Sequence, residues 1–427
     1  MNRKYKLSID RIVGYGLCLF FRIPALVLEW ILRRQHEMPP LVAPKKIVVA
    51  KYLGIGSIIQ STPMLKGLKN KYPDTQLIFV SLISNKNLLL RYDFIDKVLF
   101  VDDSSFLRLF ISSIRLIKYL IIMKIDIFFD LEVHSTYGSL MCLFSCSKNR
   151  LGFSTNDRDY KAFIYTHMLY LNTNFPIRYC YIQLGQLAAM DRNSVNGDPL
   201  CPSLHTKDVE HVSQLVKMKF DFEHKGIIAI NPNASDLRYE RRWSRAKFAE
   251  VAKYFSKQGY AVALVGSAGE HGYVQGIIEL LDGDCDRVRN VAGVFPLLEF
   301  FVFLSQCSLV ITNDSGVMNM AMTMPIPQLL LAGPVNPEQY FIPNEIRTYI
   351  YYQTFCSPCT HFLEVPPCAG DNMCMKQIGS EEVIFVCERL LRHEVVSPIR
   401  RMSFNYNSEV LGVIKDRGRI MNTNKET

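Results

Sequence analysis

Apolar and polar positions divide most of the chain into short apolar runs, which predict buried strands, and longer segments with helical periodicity. Strands and helices alternate in two blocks, residues 45–144 and 227–331, and residues 145–205 between them are less periodic. Such alternation predicts an α/β fold with two doubly wound parallel sheets in tandem. The predicted strands are 46–50, 76–81, 97–101, 125–131, 227–231, 261–265, 309–312 and 328–331, and the predicted helices are 58–72, 106–123, 135–144, 244–258, 271–281 and 296–306.

Two loop-like stretches indicate the domain boundaries. Residues 38–44 are rich in proline, and residues 193–202 combine asparagine, glycine, aspartate and proline, which is the composition of turns and linkers. A length of 427 residues fits two domains of about 150 to 200 residues. The predicted organisation is a basic apolar segment with its linker at 1–44, a first domain at 45–200, a second domain at 201–394 and a mobile tail at 395–427.

Residues 9–32 are the one segment whose length approaches that of a membrane span, but Arg22, Pro24 and Glu29 interrupt it. A spanning helix rarely contains two charges and a proline, and no small-residue cleavage site follows. Neither a transmembrane helix nor a cleaved signal peptide is therefore predicted. We expect an interfacial or re-entrant helix; the alternative is a helix that packs on the body of the protein itself.

The formal net charge is +9, and basic residues are concentrated at the N-terminus. Aromatic and basic residues do not alternate as they do in single-stranded nucleic-acid binders, so no nucleic-acid partner is expected. An anionic membrane surface or a phosphorylated ligand fits the charge better. Within residues 1–34 the basic residues are Arg3, Lys4, Lys6, Arg11, Arg22, Arg33 and Arg34, against the acidic residues Asp10 and Glu29.

The chain contains 12 cysteines, most of them scattered singly in apolar or mixed surroundings, as expected of reduced thiols in a cytoplasmic protein. Cys356, Cys359, Cys368 and Cys374 instead share one proline-containing loop with His361. These four sulfurs are a candidate structural zinc site, although their spacing is looser than that of a zinc ribbon. Reduced or redox-formed pairs are the alternative, and no catalytic role is predicted for them.

The strand predicted at 309–312 leads through Asp314, Ser315 and Gly316 into an apolar helical segment. A helix start offers unpaired backbone N–H groups and the positive end of a dipole, and a glycine lets a ligand approach the backbone. This stretch therefore predicts a phosphate site, with an ordinary capped helix as the alternative.

Ligands of doubly wound sheets bind beyond the carboxyl ends of the strands. We therefore expect the polar residues that follow the predicted strands to lie at such edges, and the cleft between the two domains to contain the site. These segments are 54–57, residue Glu132, 231–242, 266–270 and 314–316.

An ordered series of motifs runs through both halves of the chain. It comprises Gly54-x-Gly56-Ser57-x-x-x-Ser61-Thr62-Pro63, Asn231-Pro-Asn-Ala234, Arg241-Arg-Trp-Ser244, Gly266-Ser267, Asn290-Val-Ala-Gly293, Thr312-Asn-Asp-Ser-Gly316, Gly333-Pro-x-x-Pro337 and Cys356-Ser-Pro-Cys359. In this order the motifs resemble glycosyltransferase family 9, the heptosyltransferases of lipopolysaccharide assembly, over roughly residues 45–390. The resemblance implies a GT-B fold, in which two Rossmann-like domains face each other across a cleft. It also implies that the C-terminal domain holds a nucleotide-diphosphate-sugar donor and the N-terminal domain an acceptor, and that transfer inverts the anomeric centre without a metal.

The same resemblance assigns a donor-binding set in the second domain. A leaving nucleoside diphosphate develops negative charge, which preorganised N–H groups and cations stabilise. Arg241 stands where the family has a phosphate-contacting lysine, and Glu270 stands at a position suited to the donor ribose; a solvated basic pair and a solvated glutamate are the alternatives. The full set is Asn231, Arg241, Arg242, Gly266, Glu270, Asp314, Ser315, Gly316 and Asn319, with Gly54 and Gly56 in the loop on the acceptor side.

Two positions depart from the family pattern. Ser57 replaces the aspartate that is the family's presumed general base, and a serine cannot accept a proton at neutral pH by itself. We predict that Glu132, at the end of a strand of the acceptor domain, is the substitute base; Asp130 and His134 are alternatives, as is a glutamate with no chemical role. Asn319 replaces a usual histidine and carries no positive charge, so its contact with the donor differs.

The sequence thus predicts an inverting glycosyltransferase at the inner face of the cytoplasmic membrane, bound peripherally or monotopically. Its partners would be a nucleotide-diphosphate sugar, with ADP-heptose as the candidate, and a lipopolysaccharide core or related lipid-linked glycan. No catalytic cofactor is expected. The alternative is a non-catalytic binding homologue that has lost its base. A nicotinamide dehydrogenase is disfavoured, because Ile59 stands where the third glycine of its fingerprint belongs.

Overall fold

The computed structural model divides into two compact units, Met1–Ser203 and Leu204–Thr427. Each unit is built on one parallel sheet, which confirms the predicted fold class of two doubly wound, Rossmann-like domains. The residues that the structure describes are 10–32, 34, 36–133, 135–155, 159, 161–195, 197–234, 238–281, 283, 285–360, 363, 366–368, 371–402, 413–415 and 419–421.

The first unit has a six-stranded sheet in the order β3-β2-β1-β4-β5-β6, with every neighbouring pair parallel. Its strands are β1 (Lys46–Ala50), β2 (Gln76–Leu82), β3 (Lys97–Val101), β4 (Ile127–Asp130), β5 (Asn149–Ser154) and β6 (His167–Tyr170). Its helices are α1 (Tyr15–Leu32), α2 (Ile55–Lys71), α3 (Lys86–Leu89), α4 (Phe106–Met123), α5 (Thr136–Phe144) and α6 (Ile177–Gln186).

The second unit has a seven-stranded sheet in the order β13-β12-β11-β10-β7-β8-β9, again entirely parallel. The strands are β7 (Ile227–Asn231), β8 (Ala261–Leu264), β9 (Val288–Asn290), β10 (Leu309–Asn313), β11 (Gln328–Ala332), β12 (Arg347–Gln353) and β13 (Ile399–Met402), and a separate hairpin joins β14 (Val413–Lys415) to β15 (Arg419–Met421). The helices are α7 (Thr206–Lys219), α8 (Arg245–Lys257), α9 (His271–Ile278), α10 (Leu297–Ser305), α11 (Gly316–Ala321), α12 (Met373–Lys376) and α13 (Ser380–Leu391).

Several elements lie where the sequence pattern predicted none. β5 and β6 extend the first sheet within the less periodic residues 145–205. β13 pairs with β12 at the edge of the second sheet, so residues 399–402 differ from the mobile tail predicted there. Buried polar residues hide such strands from a hydrophobic pattern, and β5 contains two of them, Asn149 and Arg150.

Apolar residues of both sheets form the cores that fix the strand ends. In the first unit, α4 and α5 bury Leu116, Leu120 and Met141 against the sheet. In the second unit, Trp243 is 2% exposed; it packs edge-on against Phe248 of α8, and its indole N–H donates to the carbonyl of Ile378. These contacts hold the loops that follow the strands, because the helices on both faces are locked to the sheet.

The N-terminal helix packs on the first unit through one face. A π-helical turn, Asp10–Gly14, leads into α1, and Cys18 packs with Leu140 and Ile164 in a small apolar cluster. Among the described residues, no helix combines the length and the apolar character needed to cross a bilayer.

Candidate functional site

Two neighbouring strands of the second sheet bring their following loops together. β7 and β10 are paired so that Asn231 lies opposite Thr312. The Asn231 side-chain amide donates to Thr312 Oγ1 at 3.1 Å and to Ser315 Oγ at 2.8 Å. Asn231 is therefore the link between the two loops, and it positions the Ser315 hydroxyl at the carboxyl edge of the sheet.

Arg241 and Asp314 form an ion pair at this edge. Arg241 Nη1 lies 3.1 Å from Asp314 Oδ2, and the Asp314 side chain is 10% exposed against 21% for Arg241. A guanidinium has five N–H donors, of which this contact uses one. Arg241 Nε is buried and has no hydrogen-bond partner among the described residues. The pair thus holds a partly exposed guanidinium with donors left for a ligand.

The short helix that follows β10 has open space at its first residue. A Cβ atom added to Gly316 would meet no atom within 4 Å. Ser315 precedes α11, but its hydroxyl does not cap the helix. Asn319 is 5% exposed and its side-chain amide donates to the carbonyl of Ser315. Asn319 therefore supports the backbone of this turn, whereas Gly316 leaves room beside it.

The loop after β8 packs against the loop after β7. A Cβ atom on Gly266 would lie 2.6 Å from Asn233 Nδ2, which itself donates to the carbonyl of Val265. Glu270 closes a capping box, since its Oε2 accepts from the backbone and hydroxyl of Ser267. The predicted donor-ribose residue is therefore at the expected edge, with one carboxylate oxygen engaged in holding its own loop.

Arg242 points to aromatic rings. Its guanidinium lies 4.9 Å from the Tyr239 ring centroid and 4.5 Å from that of Tyr273, and Nη2 donates to the carbonyl of Ala234. Stacking of this kind stabilises a loop and restricts the guanidinium. The structure therefore separates the two predicted arginines: Arg241 faces Asp314, and Arg242 braces the loop between β7 and α8.

A buried carboxylate organises the corresponding edge of the first sheet. Glu132 follows β4 and is 5% exposed. Its Oε2 lies 2.8 Å from Lys51 Nζ, and its Oε1 accepts from the backbone N–H groups of Tyr52 and Leu53, both at 2.8 Å. Gly54 comes next, with a φ of 86° that favours glycine, and α2 then begins with Gly56 and Ser57 in its first turn. Glu132 thus fixes the loop that carries the predicted acceptor-side glycines.

The two carboxyl groups near β4 have opposite pKa shifts. Burial acts to raise the pKa of Glu132, but the Lys51 charge and the hydrogen bonds from Lys51, Leu53 and Tyr52 outweigh it, so the net shift is downward. Burial raises the pKa of Asp130 to about 6 against the opposing charge of Lys161. Asp130 is fully buried. At neutral pH both groups are ionised, and Glu132 is the one held more firmly in that state.

Ser57 lies beside Tyr181 of α6, and the two side chains are hydrogen-bonded. The hydroxyl of Ser57 is therefore tied to a buried tyrosine, and no carboxylate occupies this position. His134, the second alternative base, lies outside the described residues.

The four cysteines of the proline-containing loop, Cys356, Cys359, Cys368 and Cys374, are all free thiols. Cys359, Cys368 and Cys374 are buried, and Cys356 is half-buried. A hydrogen bond from Cys359 lowers the pKa of Cys356 to about 6, against the effect of burial. Among the described residues, no group of three or more His, Cys, Asp or Glu side chains is arranged to hold a metal ion. His361 is not among those residues.

Lys51 was not predicted from the sequence. It follows β1, which pairs with β4 so that Ala50 lies opposite Asp130. Lys51 and Glu132 therefore both lie just beyond the ends of adjacent parallel strands, where polar residues of opposite charge meet. The position of Lys51 after β1 could have predicted its contact with Glu132, but only with the knowledge that β1 and β4 are neighbours in the sheet.

Comparison with known proteins agrees with this geometry. The sequence model of glycosyltransferase family 9 (heptosyltransferase) matches residues 115–367, more than half of the chain. The E. coli heptosyltransferase II, a solved glycosyltransferase of the GT-B class, shares this architecture of two parallel, doubly wound sheets. The chain belongs to glycosyltransferase family 9. The family and the enzyme class predicted from the motifs are confirmed.

Curated relatives match parts of the chain. Lipopolysaccharide heptosyltransferase 2 of Salmonella typhimurium is 34% identical over 99 residues, which are 23% of this chain and 28% of that protein. Lipooligosaccharide heptosyltransferase 2 of Campylobacter jejuni is 27% identical over 175 residues, 40% of this chain and 52% of that protein. The matched part thus spans between about a quarter and a half of the length of these relatives.

Solved structures share the fold. The family 9 glycosyltransferase of Veillonella parvula has a TM-score of 0.66 at 21% identity, covering 82% of this chain and 98% of that chain. The ADP-heptose lipopolysaccharide heptosyltransferase II of E. coli has a TM-score of 0.63 at 20% identity, with the same coverage. The iron-containing dodecameric glycosyltransferase TibC of enterotoxigenic E. coli has a TM-score of 0.51 at 13% identity, covering 82% of this chain and 77% of that chain.

Proposed function

We propose that this protein is an inverting, metal-independent glycosyltransferase that moves a sugar from a nucleotide-diphosphate donor, with ADP-heptose the first candidate, to a lipopolysaccharide core or related lipid-linked glycan. The observation that carries the proposal is the arrangement of Asn231, Arg241, Asp314 and Ser315 at one edge of the second sheet. The relatives named as heptosyltransferases, one of them described with ADP-heptose, give the sugar and the nucleotide.

The donor's phosphates are the groups that this edge would bind. Arg241 keeps N–H donors beyond its contact with Asp314, the Ser315 hydroxyl is oriented by Asn231, and Gly316 leaves open space. Departure of a nucleoside diphosphate builds charge on the β-phosphate, and fixed donors stabilise it without reorganising. Glu270 keeps its second carboxylate oxygen for a ribose hydroxyl. In this proposal Asn231, Gly266 and Asn319 shape the loops, and Arg242 braces them.

Glu132 is the proposed proton acceptor for the attacking hydroxyl. An ionised carboxylate offers about four acceptor positions on its two oxygens. Lys51, Tyr52 and Leu53 occupy three of them, which leaves one on Oε2. The lowered pKa keeps Glu132 deprotonated at neutral pH, as a base requires. Ser57, held by Tyr181, would contact the acceptor without accepting its proton.

One observation favours a second candidate function, a sugar-nucleotide or glycan-binding homologue without catalysis. Ser57 replaces the family's aspartate, and most of the hydrogen-bonding capacity of Glu132 is used inside the protein. In such a protein the donor edge of the second sheet would still bind a nucleotide sugar, whereas no group would take the proton.

The reaction would take place at the inner face of the cytoplasmic membrane, because its donor is a water-soluble nucleotide sugar and its acceptor carries a lipid. The basic residues near the N-terminus suit an anionic membrane surface, and no nucleic-acid partner is proposed.

Transfer from a panel of ADP-, UDP-, GDP- and CMP-linked sugars to lipid-extracted acceptor tests the function. We expect the full-length protein to consume ADP-heptose in preference to the others and to release ADP, because the proposed donor edge binds a diphosphate. Mass spectrometry of the acceptor would detect the added sugar. If a donor binds in calorimetry but no acceptor is modified, the catalytic proposal is wrong and the binding homologue is favoured.

The cysteine loop is proposed to hold a structural metal through Cys356, Cys359, Cys368 and Cys374. Thiolates are preferred ligands of zinc and of iron, and the lowered pKa of Cys356 favours one thiolate before any metal binds. A related fold is described as iron-containing. The described sulfurs do not yet form a three-ligand group, so binding would have to draw the loop together.

Alkylation tests the metal proposal. Chelator-treated protein should react with iodoacetamide at Cys356, and added zinc or ferrous iron should slow this reaction about tenfold or more, because a coordinated thiolate is a weak nucleophile. Cys374→Ala should abolish the protection, whereas Cys307→Ala should leave it intact, because Cys307 is a buried cysteine that follows the end of α10 and lies outside the cysteine loop. Protection that is unchanged in Cys374→Ala, or no protection at all, would count against the site.

A further inference from the structure

Helix α4 exposes most of its large apolar side chains. Leu116 and Leu120 are buried in the core of the first unit, but the opposite face is apolar as well. Phe110 is 55% exposed, Ile114 50% and Ile122 67%. A surface helix of a globular protein normally has polar residues on its outer face. The exposed large apolar side chains of α4 are Phe106, Leu107, Phe110, Ile111, Ile114, Ile121 and Ile122.

Helix α1 also has an apolar outer face, and its charged residues are on the inner one. Its two charged residues contact the body of the first unit. Arg22 Nε donates to the carbonyl of Ala162, and Glu29 Oε1 lies 2.5 Å from Arg150 Nη1. Its outer face is apolar instead, and Trp30 is 80% exposed. A helix that turns its charges inward and its aromatic side chains outward is built for surroundings less polar than water. The other exposed large apolar residues of α1 are Tyr15, Leu17, Leu19, Phe20, Ile23, Leu26, Val27 and Ile31.

Both helices meet at the first turn of α5. The Asp10 carboxylate, just before α1, accepts from the backbone N–H of Tyr137 at 2.7 Å. The hydroxyl of Tyr137 in turn lies 2.7 Å from the hydroxyl of Ser113 in α4. Tyr137 of α5 therefore links α4 to the turn that leads into α1. We call the exposed apolar side chains of α1 and α4 together the α1–α4 surface.

The positive charge of α4 indicates that the partner of this surface is anionic. α4 contains Arg108, Arg115 and Lys118 and no acidic residue, and all three are exposed. Arg115 and Lys118 form no ion pair with any residue that the structure describes. Apolar side chains accompanied by unpaired cations match an anionic lipid surface, where the apolar side chains enter the acyl boundary and the cations attract the headgroups.

We propose that the α1–α4 surface docks the protein on an anionic lipid bilayer through two helices, and that it delivers the lipid-linked acceptor to the loop between β4 and α5. That loop contains Glu132, and its far end is the same first turn of α5 that binds both helices. Delivery of the acceptor rests on the proposed function, whereas docking on the bilayer does not. An acceptor anchored in the bilayer is then concentrated beside the residues that would receive it.

Vesicle flotation of the full-length protein tests the docking. We expect binding to vesicles of phosphatidylethanolamine and phosphatidylglycerol, and weaker binding to phosphatidylcholine alone. The double variant Phe110→Ser/Ile114→Ser should bind about tenfold or more weakly, because two apolar side chains no longer enter the acyl boundary. Arg115→Gln/Lys118→Gln should lose about as much on phosphatidylglycerol vesicles only, since it lacks the attraction to anionic headgroups.

Phe385→Ser is the matched control, because Phe385 lies on α13 of the second unit and is 56% exposed, against 55% for Phe110. It should float as the natural protein does. Flotation of Phe110→Ser/Ile114→Ser equal to that of the natural protein would overturn the proposal. So would a dimer in analytical ultracentrifugation that this variant dissociates, without any vesicle binding, since the surface would then be an interface between two copies.

Turnover separates docking from the proposed reaction. Transfer to a vesicle-embedded acceptor should fall in Phe110→Ser/Ile114→Ser in parallel with flotation, whereas transfer to the delipidated acceptor should stay within about twofold, because neither exposed side chain is among the residues proposed to bind substrate. Flotation without transfer to either acceptor supports the α1–α4 surface and contradicts the proposed function. Transfer of sugar without flotation supports the proposed function and contradicts docking through the α1–α4 surface.

Discussion

Glu132→Gln is expected to lower the rate of sugar transfer by about a hundredfold or more, which is the usual loss when a general base is removed. The substitution keeps the size of the side chain but removes its charge. It also leaves Lys51, which is 7% exposed, without its ionic partner. Breaking a buried pair from one side typically costs about 3 to 5 kcal/mol of stability. Steady-state kinetics and urea unfolding of the same preparation would measure both effects.

Lys51→Met separates proton transfer from positioning. Without the lysine charge, burial prevails and the pKa of Glu132 rises. Because Glu132 must be ionised to act as the base, the acid limb of the kcat profile should move to higher pH in this variant. At pH values above that limb, kcat should fall much less than in Glu132→Gln. The double variant should regain stability relative to either single one, because no unpaired charge remains.

Equal losses of kcat in Glu132→Gln and Lys51→Met at every pH would assign Glu132 a positioning role only. The pair would then act by fixing Tyr52, Leu53 and Gly54 ahead of α2, and the proton would have to go elsewhere. Asp130, with its pKa raised to about 6 by burial, would be the remaining described carboxyl group of that strand end.

Arg241→Met should reduce kcat/KM for the nucleotide-sugar donor by about a hundredfold to a thousandfold, the range found when a preorganised donor to a developing anion is lost. Arg241→Lys should retain activity within about tenfold, because an ammonium group still carries the charge but cannot bind phosphate oxygens in a bidentate manner. Binding of ADP by calorimetry, together with donor turnover, would show whether the ground state or the transition state is affected more.

Arg245→Met is the control for Arg241. Arg245 is an exposed arginine at the start of α8 in the same unit, with its guanidinium 5.6 Å from the Tyr273 ring centroid. Its replacement changes the net charge equally and should leave kcat/KM within about twofold. A loss in Arg245→Met as large as that in Arg241→Met would mean that general electrostatic attraction, and no specific contact, explains both.

The fold could be predicted where local pattern and final environment agree. α4 has the predicted bounds, Phe106–Met123, because its apolar period is continuous and Ser105 caps its start. β5 could not be predicted, because Arg150 reads as a surface residue. In the structure Arg150 is 2% exposed and lies against Glu29, which is 121 residues away along the chain. Only the folded protein supplies that partner.

The sequence likewise predicts which loops of the candidate site lie together, but not the contacts of each side chain. Parallel strand order places Asn231 and Ser315 at one edge, as the position of polar residues after strands indicates. The direction in which each side chain points could not be predicted from the sequence. Arg242 follows Arg241 directly, yet its guanidinium stacks on Tyr239 and Tyr273, the latter from α9. Tertiary packing determines that Arg241 pairs with Asp314 and that Arg242 stacks on aromatic rings, and no local sequence pattern distinguishes the two arginines. Their roles in donor binding stay predictions.

The contacts of α1 also bear on how the chain folds while it is being synthesised. Asp10 bonds to Thr136, 126 residues later, and Arg22 to Ala162, 140 residues later. At about 5 to 20 residues per second, these partners leave the ribosome roughly ten seconds after α1. During that interval the inner face of the helix, with Cys18, Arg22 and Glu29, lacks the partners that it has in the folded protein. If the α1–α4 surface docks on a bilayer as proposed, lipid contact with the apolar outer face would hold the nascent helix until these partners have been synthesised.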